Sequence, residues 1–192
     1  MNKKTVCIIG GGAAGLVSAI FAARNHASVI LLEQNEKPGR KLLATGNGRC
    51  NLTNTFQQPS CYHGRHPEFA WKVIQQFPMQ KTVAFFSKLG IYTKNREGYL
   101  YPASFQASSV LEVLEAEARY LKVKIKCREQ VTDICACPDR KQGRWQVKTA
   151  AWQYNADSVI IACGSPASEI AGSCTSGYAF ARKLGHTLIK PL

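Results

Sequence analysis

The first 33 residues contain the runs KTVCIIG, AAGLVSAIFAARN and ASVILLE, with only GG between the first two and H between the last two. Residues 4–10 are β-branched and apolar and end in glycine, which predicts a buried strand. Residues 13–25 combine good helix formers with helical spacing. Residues 27–33 predict a second buried strand. Two buried strands joined by one helix in so short a span form a βαβ unit, which requires a parallel sheet. That constraint puts the chain in the α/β class before any other residue is considered.

The turn between the first strand and the helix carries Gly10, Gly12 and Gly15 in the pattern G-x-G-x-x-G. The first glycine permits a tight turn, the second lets backbone approach a pyrophosphate, and the third lets helix and strand pack closely. Amide donors at the helix start, with Ala13 and Ala14 in its first turn, then face an anion. Glu33 stands eighteen residues past Gly15 at the end of the second strand, with Gln34 beside it. A carboxylate there accepts hydrogen bonds from ribose hydroxyls and repels a 2′-phosphate, so the expected nucleotide is FAD or NAD. An NAD domain reaches its third parallel strand soon after the acid. Here about ninety residues separate Glu33 from the next such strand, VKIKC at 123–127. That layout favours FAD.

Helices are predicted at 66–77 and 79–89, and IYTKNREGYLYP predicts a hairpin turning near Arg96–Gly98. Residues 106–121 predict an amphipathic helix with Val110, Leu111, Leu114, Ala118 and Leu121 on one face. Short runs with polar turns over 130–155 predict an antiparallel meander. SVIIACG (158–164) predicts another buried strand, and a short helix follows near the end. The expected fold is therefore a Rossmann-like FAD-binding domain over residues 1–192, with a parallel sheet, an inserted helical segment and a β-meander.

The stretch GRKLLATGNGRCNLTN (39–54) follows the ribose-binding acid directly. Gly39, Gly46 and Gly48 allow positive φ and close backbone approach. Arg40 and Lys41 can neutralise phosphate, while Asn47, Arg49, Cys50 and Asn51 can bond the cofactor or hold the segment. Its apolar content is too low for a core element, so it reads as a polar loop laid over pyrophosphate and flavin. Cys50 raises the idea of a redox-active disulfide, but the next cysteine, Cys61, is eleven positions away, which favours a packing role.

GGGAAG, Glu33, GRKLLATGNGRCNLTN, YPASFQASSV, VIIACGSPA and SGYAFARKLGH together resemble the BaiN-like flavoproteins, bacterial FAD- and NAD(P)-dependent oxidoreductases. The heptad GRCNLTN is the most specific part of the resemblance, which runs from residue 4 to the C-terminus. It implies that NAD(P)H reduces a bound flavin, which passes hydride to a small organic acceptor such as an enone-like carbon–carbon double bond. It also implies backbone contact to the adenine at Val131 and cofactor contact at Cys163 and Gly164, where relatives carry threonine-glycine. Tyr101 and Ser104 would lie near the active site, with core packing for Tyr101 and helix capping by Ser104 or Ser108 as the alternative roles. Two departures stand out: Thr175-Ser176-Gly177-Tyr178 replaces the family's G-D-G-Y, and Gly164–Ser165 replaces a glycine pair. Relatives continue for about as long again, so the expected fold is incomplete relative to the family.

The remaining composition sets bounds. No apolar run approaches the roughly 20 residues of a membrane span, and the apolar run behind the basic tip is too short for a signal peptide. A cytoplasmic protein is expected. The eight cysteines are scattered in apolar strands, as reduced buried thiols would be; Cys135 and Cys137 are expected on one strand face, without further ligands for a metal. The net charge of +13 calls for anionic partners: nucleotide phosphates, acidic substrates or nucleic acid. The cations are spread out, and no nucleic-acid-binding motif is visible, so no specific nucleic acid is expected. No nucleophile–base pair or acid pair identifies a catalytic residue, and the oligomeric state is unspecified. A non-catalytic FAD-binding fragment and a basic nucleic-acid-binding domain are the rival readings, with a disulfide reductase behind them.

Overall fold

A computed structural model describes residues 3–64, 66–139, 141–165 and 175–189. The elements run β1 (Thr5–Ile9), α1 (Ala13–Arg24), β2 (Ser28–Leu32), α2 (Arg40–Ala44), β3 (Thr53–Asn54), α3 (Pro67–Gln76), α4 (Met79–Lys88), β4 (Thr93–Arg96), β5 (Tyr99–Pro102) and α5 (Ala107–Tyr120). They continue with β6 (Lys124–Lys126), β7 (Val131–Ala136), β8 (Trp145–Thr149), β9 (Gln153–Ala156), β10 (Ser158–Ile161) and α6 (Ser176–Lys183). The backbone divides into two compact units, one of residues 1–42 with 114–192 and one of residues 43–113.

In the larger unit the four parallel strands lie in the order β10-β1-β2-β6. β1 is apolar from Val6 to Ile9 because both of its faces are covered. Cys7 and Ile9 point to one face, where Val131, Ile134, Val147 and Ala156 of the meander and Phe180 of α6 close a core cluster with Leu32. Ile8 alternates to the other face, as does Leu31 of β2, and both are fully buried. α1 packs on β1 and β2 with Leu16, Ala19 and Ile20 inaccessible to solvent. Arg24 reaches Glu117 of α5 at 2.7 Å, and Leu114 and Ala118 of that helix are buried. β7, β8 and β9 form the expected antiparallel meander, with a register irregularity between Val131 and Asp133. β7 ends at Ala136, so Cys137 lies just past it; Cys137 is buried and Cys135 half-buried.

In the smaller unit β4 and β5 form the predicted hairpin around Glu97–Gly98, and β3 adds to its edge in the order β3-β5-β4. Gln106 N donates to Ser104 Oγ at 3.3 Å at the start of α5, a capping contact, and the Tyr101 ring lies 5.7 Å from that of Phe105.

One expectation is corrected. The segment after Gly39 is not a continuous polar loop. Arg40–Ala44 is a short helix with Leu42 only 4% exposed, and Cys50 further on is 6% exposed. Burying those two residues outweighs the polar composition around them.

Candidate functional site

A cavity in the larger unit opens where β1 and β10 end and α1 begins. Gly10, Gly12, Glu33 and Gln34 line it, with Arg40 and Lys41 from the start of α2. Val131 of the meander and Cys163–Gly164 beyond β10 complete the group that the sequence pointed to. Ala13, Ala14 and Gly15 form the first turn of α1 behind this lining. Gly46, Asn47, Gly48, Arg49, Cys50 and Asn51 belong to the smaller unit.

The three fingerprint glycines are separable by what surrounds them. Gly10 has φ +106°, and a methyl there would fall 2.4 Å from the Ala162 carbonyl oxygen. At Gly15 a methyl would fall 1.9 Å from the Gly10 carbonyl oxygen, so the helix can approach the turn only as glycine. At Gly12 the backbone is ordinary extended chain (φ −75°, ψ −174°), and a methyl would meet nothing within 4 Å. Neither strain nor packing within the protein requires a glycine there. The position caps α1 without any side-chain hydrogen bond, so no capping side chain satisfies the first-turn amides of the helix. A small residue at a donor-rich helix start fits a pyrophosphate.

Glu33 is 7% exposed and holds the turn together. Its Oε2 accepts from Gly11 N at 2.7 Å, and its Oε1 accepts from Asn35 N at 2.8 Å and Asn35 Nδ2 at 2.6 Å. Three donors leave one accepting position on Oε2 for a ligand hydroxyl. Replacing Glu33 with Gln turns a donor toward one of these N–H groups. It is expected to destabilise the fold by about 1–3 kcal/mol, read from urea denaturation of the protein without ligand.

Arg40 reaches Asn35 Oδ1 at 3.5 Å, and Lys41 Nζ donates to the Ser165 carbonyl at 2.5 Å. Two cations and the helix start thus bring positive potential to the cavity. Carboxylates of Glu33 and Glu129 also line it. Glu129 accepts from the Tyr154 hydroxyl; burial first, then this partner, pushes the phenol up to about 12. The composition suits a ligand with an anionic part and a hydroxyl- or amine-bearing part.

In the smaller unit Gly46, Asn47, Gly48 and Cys50 all take positive φ, as does Gly39 ahead of them. Asn51 Nδ2 donates to the carbonyls of Thr53 and Leu100, so this amide holds the segment to β5. Burial raises the Cys50 thiol above its ordinary value, against a smaller opposing effect from its bond to Thr45. A protonated, enclosed thiol is a poor nucleophile. The seven cysteines among the described residues are all free thiols, and Cys174 lies outside the described residues. Among the described residues no group of His, Cys, Asp or Glu could hold a metal ion.

Several lining residues escaped the sequence reading. Asn35 sits between motif residues and could have been included on proximity. Glu129 and Phe180 come from distant elements with no local signal, while Ser176 lies in the stretch already marked as a departure. Ser176 occupies the place where the resemblance expects an aspartate.

The family model described as the HI0933-like protein Rossmann domain matches residues 4–191. Over 190 residues the chain is 52% identical to the 3-dehydro-bile acid delta(4,6)-reductase of Clostridium scindens, covering 98% of this chain and 45% of that protein. It is 28% identical over 185 residues to the ribosomal RNA dihydrouridine synthase of Haemophilus influenzae, covering 96% and 46%. The chain therefore spans about half the length of the curated relatives it matches. Among solved structures, Thermovibrio ammonificans THI4 superposes with a TM-score of 0.61 at 15% identity, covering 96% of this chain and 64% of that one. The 3-ketosteroid-delta4-(5alpha)-dehydrogenase of Rhodococcus jostii RHA1 gives 0.56 at 14% identity, covering 85% and 46%. At those identities the structural matches speak for the fold.

Proposed function

The chain belongs to the HI0933-like Rossmann-domain family, and from that premise we propose that residues 1–192 form the FAD-binding part of a flavin-dependent oxidoreductase. The observation that carries this reading is Gly12: a glycine the protein does not need, set at an uncapped helix start inside a cavity that also holds Arg40 and Lys41. In this reading the amides of Ala13, Ala14 and Gly15 and the two cations hold the pyrophosphate. Glu33, with Gln34 beside it, takes a ribose hydroxyl while keeping Gly11 in place, and Val131 borders the adenine. Cys163 and Gly164 lie along the cofactor. Bound FAD would supply hydride and electron transfer; the chain's own residues bind and orient it.

We take NAD(P)H as the electron donor and an activated carbon–carbon double bond in a small molecule as the acceptor. The support is chemical: one relative is named a reductase of an unsaturated 3-dehydro bile acid, and others are named dihydrouridine synthases. Both names denote saturation of a ring double bond. The free thiols fit a reducing cytoplasm, and no helix among the described residues is long and apolar enough to cross a membrane. Anaerobic mixing of the FAD-loaded protein with NADH or NADPH is expected to bleach the flavin band, and a conjugated enone to restore it. Bound flavin that neither nicotinamide reduces would leave the non-catalytic FAD-binding reading in its place.

A second acceptor class, a uridine ring within RNA, is favoured by the charge. Lys and Arg total 25 against 12 Asp and Glu, well beyond what one dinucleotide needs.

A further inference from the structure

Although the cations are spread along the chain, one alternating run stands out among them. In the run Tyr120-Leu-Lys122-Val-Lys124-Ile-Lys126 every second residue from Lys122 is a lysine, and all three lysines are exposed. β6 ends the parallel sheet, paired on one side by β2, and has no strand on its other side among the described residues. The register sets Lys124 beside Ile30 and Lys126 beside Leu32, while Ile125 turns to the opposite face beside Leu31. The two strand lysines thus project from one face, about 6.6 Å apart at two residues' rise, and Lys122, exposed and at φ +62°, lies on the turn just before them. Tyr120, 80% exposed, ends α5 two residues before Lys122.

Neighbouring acids do not neutralise these lysines. Glu36 pairs with Arg128, Glu115 with Arg119 and Glu117 with Arg24. Among the described residues no ion pair includes Lys122, Lys124 or Lys126. One or two lysines would be enough to discourage edge-to-edge strand pairing. Three exposed lysines within five residues, next in sequence to an exposed aromatic ring, do more. They offer an extended polyanion a cluster of cations and a surface on which a base can stack.

We propose that this edge is a track for single-stranded RNA, with Lys122, Lys124 and Lys126 contacting successive phosphates and Tyr120 stacking on a base. The inference rests on the RNA reading above and names the surface that would serve it. The track lies outside the cavity lining, so it binds RNA without touching the nucleotide site.

The test is fluorescence anisotropy with a labelled, unstructured RNA 30-mer across a KCl series. It uses the whole chain with FAD added, and compares wild type with K122Q/K124Q/K126Q. Wild type is expected to bind with a linear dependence of log K on log salt. The triple variant is expected to lose about 2 from the magnitude of that slope, three single-strand phosphate contacts at about 0.7 each. FAD binding should be unchanged, and K122R/K124R/K126R should keep the full slope. Tyr120→Ala should weaken binding without changing the slope. If the triple variant keeps the wild-type slope, the track is wrong while the RNA reading survives. If wild type ignores RNA, or prefers anionic vesicles to it, both fall. Should the triple variant aggregate, K124E alone must still lower the slope by about 1 or more.

Discussion

Gly12→Val is expected to yield a folded protein that no longer retains FAD. At this position the protein asks nothing of the residue: the backbone is extended, and an added methyl meets no atom within 4 Å. Valine is a poorer helix cap than glycine, at a cost of about 1 kcal/mol. The thermal midpoint should therefore fall by only a few degrees. The side chain would, however, fill the space in front of the first-turn amides. A pyrophosphate displaced from two charge-assisted hydrogen bonds of about 1.5–3 kcal/mol each binds about a hundredfold more weakly, or worse. Calorimetric titration with FAD and the melting curve of the same preparation separate the two effects. Unchanged affinity in a folded variant would remove the pyrophosphate from this place.

Gly15→Ala is expected to do the reverse, damaging the fold itself. Within an ordinary helix the change stabilises by about 1 kcal/mol, because alanine has less backbone entropy to lose. Here the methyl would sit 1.9 Å from the carbonyl oxygen of Gly10 and 3.0 Å from its carbon. Both obstructing atoms are backbone, in a turn that Gly10 N fixes by donating to the Leu32 carbonyl at 2.8 Å. Neither can rotate away as a flexible side chain could. Helix α1 must shift off the sheet, where Leu16, Ala19 and Ile20 are fully buried. The cost should lie at or above the top of the roughly 1–3 kcal/mol range for overpacking. Urea denaturation without ligand measures it. A midpoint at or above that of wild type would show that helix and turn are not in tight contact.

The contrast between these two glycines also marks what the sequence could and could not convey. Strand, helix and strand in the first 33 residues carry their own periodicities, so β1, α1 and β2 were legible to within a residue or two at their ends. The hairpin was legible because Glu97–Gly98 supplies the positive φ of its turn, and α5 because its apolar face repeats at helical spacing. The helix Arg40–Ala44 was not legible. Five residues between glycines give no period, and its anchoring by Leu42 depends on tertiary burial. β3 escaped for the same reason, being two residues that exist as a strand only through pairing with β5.

At the site, Glu33 was found from its spacing to the glycines, but its bonds to Gly11 and Asn35 depend on the folded turn. Glu129 and Phe180 are separated from the fingerprint by most of the chain. They reach the cavity because the meander and α6 cover one face of the sheet. Motifs identify residues that act through local backbone geometry; they miss those that long-range packing delivers.

The claim on which the rest depends is that the cavity at the start of α1 holds FAD. The most direct measurement is the visible spectrum of the freshly purified protein, followed by calorimetric titration with FAD of any fraction without flavin. The expected result is a yellow protein, or a colourless one that takes up one FAD per chain and acquires the flavin bands. A folded, colourless protein that releases no heat with FAD and stays colourless after gel filtration would contradict it.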